Sequence, residues 1–139
     1  MKICIIVSNF YPKISKNLLK GSVTILKKNK NVEYKIFNVD GAFEIPLVMS
    51  ILIKKFDGFV VLGCVIKGKT PHFDFLCKSV FDSLLNLSII NKKPLGNAIL
   101  TCINKKQALE RSNPKKINKG GAAAQAMTTV LTIVKNARH

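Results

Sequence analysis

The chain has 139 residues, a mass of 15.4 kDa and a formal net charge of +16, and this length predicts one domain spanning residues 1–139. Because 47% of the residues are hydrophobic and 22% are charged, the chain can bury a core, which excludes an intrinsically disordered protein. No membrane-spanning segment is expected, since the longest nearly uncharged run, residues 58–66, is much shorter than the roughly 20 apolar residues of such a helix.

Basic residues outnumber acidic ones by 23 to 7, but their type does not favour a nucleic-acid partner. Only Arg111 and Arg138 are arginines, and the other 21 are lysines. Proteins that read bases and phosphates favour arginine for its bidentate hydrogen bonds. We therefore expect no nucleic-acid partner. We interpret the lysines as solvated surface, with attraction of small anionic substrates as an additional role.

The four cysteines do not indicate a metal site. They form no Cys-x-x-Cys pair and have no histidine at zinc-finger spacing. Cys4, Cys64 and Cys102 lie in apolar, strand-like runs, where free cysteine acts as a small hydrophobe in a reducing compartment. Because Tyr11 and Pro12 stand where a secretory signal would continue, we expect a cytoplasmic protein.

Apolar patterning predicts strands and helices that alternate along the chain. In chain order these are a strand at 2–8, a helix at 15–28, a strand at 33–39, a helix at 45–55, a strand at 58–66, a helix at 71–90, a strand at 95–102, and helices at 105–110 and 120–136. This alternation predicts right-handed β-α-β units. We therefore expect an α/β, flavodoxin-like, three-layer α/β/α sandwich with a four-stranded parallel sheet.

Ligands of such sheets bind at the carboxyl ends of the strands, so the segments that follow the strands are the candidate site. After the third strand, residues 66–74 (IKGKTPHFD) join a turn to a helix N-terminus, which favours an anion. Thr70 can add a hydroxyl, and Lys67 or Lys69 a charge. The segment lacks the upstream glycine of a nucleotide-binding P-loop.

Three side chains in these segments each have two interpretations. His72 suits proton transfer near neutral pH, or it is a capping or surface residue. Glu44 is a hydrogen-bond acceptor for a polyol or amide ligand, or a residue that complements the helix dipole. Phe10 is a stacking platform or part of the core.

Four motifs together resemble lumazine synthases: GAFEIP at 41–46, GCVIKGKTPHFD at 63–74, PLGNAILT at 94–101, and QALERS at 107–112 followed by NKG at 118–120. The resemblance covers nearly the whole chain in the same order. It implies condensation of 5-amino-6-(D-ribitylamino)uracil with 3,4-dihydroxy-2-butanone 4-phosphate. The products are 6,7-dimethyl-8-ribityllumazine, phosphate and water, in the penultimate step of riboflavin synthesis. It also implies that no metal or organic cofactor is used.

The resemblance also implies a role for each matching residue. The pyrimidine and its ribityl chain would be bound by Phe10, Ala42, Phe43, Glu44, and the backbone of Cys64, Val65 and Ile66. The phosphate would be bound by Lys69, Thr70 and Arg111, and His72 would transfer protons. Lys119 matches a lysine near the substrates, and Arg111 and Lys119 would act with the neighbouring subunit's site.

The chain departs from the common family pattern at two places. Asn9-Phe10-Tyr11 stands where Arg-Phe-Asn is frequent, and Asn97 stands where the family often has phenylalanine. A neighbour-supplied phenylalanine would stack on the pyrimidine. Asn97 would instead contact the edge of the ring through its side-chain amide or backbone.

The resemblance further implies an oligomer, either a pentamer or a shell of sixty subunits, with riboflavin synthase as a candidate partner. We expect a free pentamer, because the sequence starts at its first strand and the turn at 112–118 (SNPKKIN) is stiff and basic. Five copies of this turn would gather like charge, which would repel another pentamer across a shell contact. The alternative function is a non-catalytic flavodoxin-like domain that binds FMN or another phosphate ligand.

Overall fold

The computed structural model describes residues 1–138 and contains a parallel sheet between two layers of helices. The elements are β1 (Lys2–Ser8), α1 (Pro12–Lys27), β2 (Glu33–Val39), α2 (Ile45–Leu52), β3 (Gly58–Ile66), α3 (His72–Asn91), β4 (Leu95–Cys102), α4 (Lys105–Ser112) and α5 (Lys119–Ala137). All neighbouring strands pair in parallel, in the order β2-β1-β3-β4. The predicted α/β, flavodoxin-like fold is confirmed, and the bounds of all four strands are those predicted.

The helix ends differ from the predicted ones. α1 begins three residues early, since Pro12 needs no N–H partner at the first helical position. A single 3₁₀ turn at Ala42–Glu44 precedes α2, which ends at Leu52 rather than at residue 55. α5 begins at Lys119 because the Asn118 side chain caps the helix by accepting a hydrogen bond from the Gly121 N–H at 3.1 Å.

Each face of the sheet contributes to a separate apolar core, because its strands are buried on both sides. One core contains Ile5 and packs against α1, α4 and α5, and the other contains Ile6 and packs against α2 and α3. On the first face α5 lies directly on α1, where a Cβ atom added at Gly120 would collide with the Leu18 carbonyl. None of the helices within residues 1–138 is long and apolar enough to cross a membrane.

The sheet order places a crevice between β1 and β3. From β1 the chain crosses one face through α1 to reach β2, and it returns across the other face through α2 to β3. β1 and β3 are therefore adjacent strands whose following segments diverge, which is the topological switch point where open α/β sheets bind ligands. β3 also extends past its neighbour, because the β1–β3 pairing ends at Val7 and Leu62.

The α2–α3 layer exposes an apolar surface. Large aliphatic side chains on these two helices are more than half exposed at five positions: Leu47, Ile51, Leu85, Ile89 and Ile90. The sequence of α2, IPLVMSIL, contains no charged residue. Exposed apolar side chains in this number on one helical layer are typical of a contact with another protein chain.

Candidate active site

A cavity of about 250 Å³ opens at the switch point, against the carboxyl end of β3. Six residues predicted from the sequence line it: Phe10, Ala42, Cys64, Val65, Ile66 and His72. We call these six residues the cavity group. Tyr11 and Leu76 complete the lining, and neither was identified from the sequence. The apolar periodicity of α3 could have indicated Leu76, and the position of Tyr11 next to Phe10 could have indicated Tyr11.

Phe10 lies in the loop between β1 and α1 and is 68% exposed. Its ring meets the Tyr11 ring edge-on, with 5.0 Å between the ring centroids and an angle of 70° between the planes. The loop is held at Asn9, whose backbone N–H donates to the Val39 carbonyl and whose side-chain amide donates to Asn38 Oδ1, both at 2.9 Å. Phe10 therefore presents its ring at the mouth of the cavity and is not part of the core.

Only one residue of the segment after β2 enters the cavity. Ala42 is buried in the cavity wall. The Glu44 carboxylate accepts a hydrogen bond from the Gly41 N–H at 3.0 Å, so in this structure Glu44 acts as a cap. Phe43 is exposed and faces a separate groove that it shares with Leu47.

The last residues of β3 present backbone groups to the cavity. Cys64, Val65 and Ile66 pair with β4 on one side, whereas β1 has already ended on the other side. Backbone N–H and C=O groups on the β1 side are therefore available to a ligand. Burial raises the pKa of the Cys64 thiol to about 12, so this thiol is neutral and is not a nucleophile at physiological pH.

His72 is the first residue of α3, is exposed, and lines the cavity together with the β1–α1 loop. Its backbone N–H donates to Thr70 Oγ1 at 3.4 Å. Lys69 and Thr70 are exposed in the turn before the helix and do not line the cavity. The imidazole thus borders the cavity at a helix N-terminus, where unpaired N–H groups favour an anion.

Three further predicted residues, Asn97, Arg111 and Lys119, lie outside the cavity of their own chain, and we call them the outlying group. Arg111 is in the last turn of α4, and its Nη1 donates to the Thr101 carbonyl at 3.4 Å. Asn97 is exposed on edge strand β4, and its Oδ1 accepts from the Ile99 N–H at 2.9 Å. Lys119 is exposed at the start of α5.

The cavity suits a planar small molecule. The lining combines the aromatic rings of Phe10 and Tyr11, the end of β3, which is unpaired on its β1 side, and the His72 imidazole. These groups can stack on a heterocycle, bind its amide edge and transfer a proton next to it. Within residues 1–138, no three histidine, cysteine, aspartate or glutamate side chains are arranged to hold a metal ion.

Fold and site together define a flavodoxin-like α/β protein with a small-molecule site at the switch point. The profile of the 6,7-dimethyl-8-ribityllumazine synthase family matches residues 1–135. Proteins named 6,7-dimethyl-8-ribityllumazine synthase are similar along most of their length. The one from Bartonella tribocorum is 38% identical, with 96% of this chain and 89% of that protein covered. The one from Blochmanniella pennsylvanica is 40% identical, with 97% and 90% covered.

The chain belongs to the 6,7-dimethyl-8-ribityllumazine synthase family. The resemblance indicated by the four sequence motifs is therefore confirmed.

Proposed function

We propose that this chain catalyses the reaction of its family, the condensation of 5-amino-6-(D-ribitylamino)uracil with 3,4-dihydroxy-2-butanone 4-phosphate. The products are 6,7-dimethyl-8-ribityllumazine, phosphate and water. The observation that carries the proposal is the cavity at the end of β3, where six of the residues matched to the family lie together. The family match over residues 1–135 supports the same reaction.

The cavity group would bind the pyrimidine. Phe10 would stack on the ring, and the unpaired backbone of residues 64–66 would hydrogen-bond to its edge as a neighbouring strand does. Ala42 has a small side chain in the wall, which leaves space for the ribityl chain. Glu44 and Phe43 follow at once, and rotation of Glu44 from the Gly41 N–H would direct its carboxylate to the ribityl hydroxyls.

His72 would act as the general acid and base. The pyrimidine amine attacks the ketone carbon, and the resulting carbinolamine must gain a proton on oxygen before it loses water to form the imine. An imidazole at the cavity mouth can supply this proton and then accept one from the substrate. Holding two substrates in one cavity adds a further acceleration, because a bimolecular step becomes effectively unimolecular.

The phosphate would be bound by Thr70, Lys69 and the N-terminus of α3, with Arg111 as the main cationic partner. Positive charge is needed there, because the leaving phosphate gains negative charge as its C–O bond breaks. Within residues 1–138, the Arg111 side chain makes one long hydrogen bond to the Thr101 carbonyl and one contact with Cys102 Sγ at 3.9 Å. Its guanidinium therefore has donors to spare for a phosphate.

The outlying group would reach the site in an assembled oligomer, which we propose to be a pentamer with active sites at the subunit interfaces. The exposed apolar surface of α2 and α3 supports a subunit contact. In sedimentation at moderate salt we expect a mass near five times 15.4 kDa. A megadalton particle would replace the pentamer by a shell, and an active monomer would contradict the shared site.

The decisive experiment is an absorbance assay for lumazine formation with the purified chain and both substrates. A reaction without protein is the control, because condensation also proceeds slowly unaided. A chain that binds FMN but forms no lumazine above this control would support the alternative, a non-catalytic binding domain. Association with riboflavin synthase and a cytoplasmic location stay predictions, which co-sedimentation and cell fractionation would test.

A further inference from the structure

Tyr11 lines the cavity, although the roles implied by the family do not include it. Its backbone is fixed from two directions. The following Pro12 restricts it to an extended conformation, observed as φ −118° and ψ 90°. Its carbonyl accepts the first hydrogen bond of α1, from the Ser15 N–H at 3.0 Å. Tyr11 is thus the N-cap of a 16-residue helix and cannot shift without moving that helix.

The ring of Tyr11 is also held. It is half-buried and packs against the core on the α1 face of the sheet. Burial is the main cause that raises the pKa of Tyr11, and the neighbouring Cys64 is the second. Both agree with a phenol that is directed toward the cavity wall. The hydroxyl has no hydrogen-bond partner among the described side chains and backbone groups of residues 1–138.

The Phe10 ring, in contrast, does not pack against a core. It is 68% exposed and belongs to neither core. The aromatic contact that orients it is the edge-on pair with Tyr11, at 5.0 Å and 70°. An exposed aromatic side chain can change rotamer rapidly, so a fixed neighbour at this distance reduces the orientations that Phe10 samples before a ligand binds.

We propose that Tyr11 is a positioning residue that holds the Phe10 ring in the orientation that stacks on the pyrimidine substrate. This inference rests on the proposed function, in which Phe10 is the stacking surface. Tyr11 acts through its ring, because ring packing and the edge-on contact are the interactions that it makes. The effect is preorganisation. The Phe10 ring already faces the ligand, so the Phe10 side chain loses less entropy when the ligand binds.

The test compares Tyr11→Leu, which removes the aromatic edge, with Tyr11→Phe, which keeps the ring. We expect Tyr11→Leu to raise the KM for the pyrimidine about 2- to 12-fold, the range that one aromatic pair supports. The KM for the butanone phosphate and the kcat should stay unchanged. Tyr11→Phe should restore the wild-type KM, and Tyr34→Leu, a half-buried tyrosine on edge strand β2, is the matched control.

A double-mutant cycle with Phe10→Ala separates positioning from a general loss of structure. Tyr11→Leu should add little to the effect of Phe10→Ala, because the two residues act through one ring. Additive effects, equal rises in both KM values, or a Tyr11→Phe variant as impaired as Tyr11→Leu would each overturn the proposal. If Tyr11→Leu does not fold, Tyr11→Met replaces it, since the unbranched, flexible methionine side chain adapts to the space without an aromatic edge.

The proposal and the proposed function fail in different ways. A wild-type chain that forms no lumazine contradicts the function. In that case the same variants are compared by titration with a ribityl-pyrimidine analogue, and unchanged affinity in Tyr11→Leu contradicts the positioning role. Active wild-type protein with an unchanged pyrimidine KM in Tyr11→Leu overturns the role of Tyr11 and leaves the function intact.

Discussion

The cavity group and the outlying group are positioned by different parts of the molecule. The cavity group lies in the segments that follow β1, β2 and β3, and parallel strands bring these segments together within one chain. In the outlying group, Asn97 lies on edge strand β4, and Arg111 and Lys119 lie on α4 and α5, the helices that follow it. One sheet can therefore organise a binding surface for one substrate, whereas in the proposed function the outlying group acts on the site of a second copy of the chain.

The two groups also differ in charge. The cavity is largely apolar, and its ionisable side chains are His72, the Cys64 thiol and the Tyr11 phenol. The outlying group contains two cations, Arg111, which is half-buried, and Lys119, which is exposed. An apolar wall suits a heterocycle, and cations suit a phosphate. The division predicts that mutations in the two groups affect different kinetic constants.

The largest effect is expected at His72 in the cavity group. Replacement by glutamine keeps a polar side chain of similar length but removes the proton-transfer group, so we expect kcat to fall roughly 10- to 10⁴-fold. Single-turnover absorbance kinetics would measure this step directly. Binding of a ribityl-pyrimidine analogue should survive the change. Unchanged turnover in a folded His72→Gln variant would remove the acid–base role.

The next effect is expected at Arg111 in the outlying group. Arg111→Ala should raise the KM for the butanone phosphate roughly 10- to 150-fold, the loss of one charge-assisted hydrogen bond, with a much smaller effect on the pyrimidine KM. Arg138→Ala is the matched control, because it removes the other arginine, which occupies the C-cap position of α5. Equal effects of Arg111→Ala on both substrates would indicate a structural role instead.

The sequence predicted the strands better than the helix ends. The continuous apolar run of β3 begins at Gly58 and ends at Ile66, shortly before Gly68, so its limits are marked in the sequence. The end of α2 is not marked, because Ile53 continues the apolar pattern while the chain already turns toward β3. Packing of Phe56 and Phe59 on the same core decides this boundary, and such contacts between segments cannot be read from a local pattern.

Some features of the candidate site could likewise be predicted from the sequence, and others could not. Strand ends placed Ala42, Cys64 and His72 in one cavity because topology alone brings them together. The two interpretations of Glu44 could not be separated, since a capping contact to the Gly41 N–H and a ligand contact require the same carboxylate. The orientation of the Asn97 amide likewise depends on the open edge of β4, where its Oδ1 satisfies the Ile99 N–H.

A third prediction tests whether the outlying group depends on subunit contacts. Leu47→Glu introduces a charge into the exposed apolar surface of α2, and Ile133→Glu makes the same kind of change on α5 in the other helical layer. Burying a leucine contributes about 1.5–3 kcal/mol, so we expect Leu47→Glu to shift the dissociation midpoint roughly 10- to 150-fold. Ile133→Glu should shift it much less.

Sedimentation and activity at matched dilutions would measure the effect of Leu47→Glu. Activity should fall together with the oligomer, because the dissociated chain retains its cavity group but lacks a neighbour's Arg111. If Leu47→Glu remained fully active as a monomer, the division of the site between two chains would be wrong. If both variants dissociated equally, the contact surface would include both helical layers.

The smallest expected effect concerns the buried Cys64 thiol in the cavity wall, and it can be measured without substrate. Cys64 is 5% exposed, and burial raises the pKa of its thiol from 9.0 to about 12. In the unfolded chain the thiol ionises near its ordinary pKa, whereas in the folded chain it stays protonated. The stability that Cys64 contributes is therefore fully present below about pH 9, and it is lost as the pH rises from there toward 12.

Comparison with Cys64→Ala isolates this contribution, because the lysines titrate equally in both proteins. Wild-type protein should be the more stable at pH 8, since alanine leaves a small void. At pH 10, one unit above the ordinary thiol pKa, the difference in unfolding free energy should shrink by about 1.4 kcal/mol. Denaturant unfolding at both pH values measures it. If the difference in unfolding free energy were the same at both pH values, water would reach the Cys64 thiol. The cavity wall would then be as solvated as the surface around Arg111.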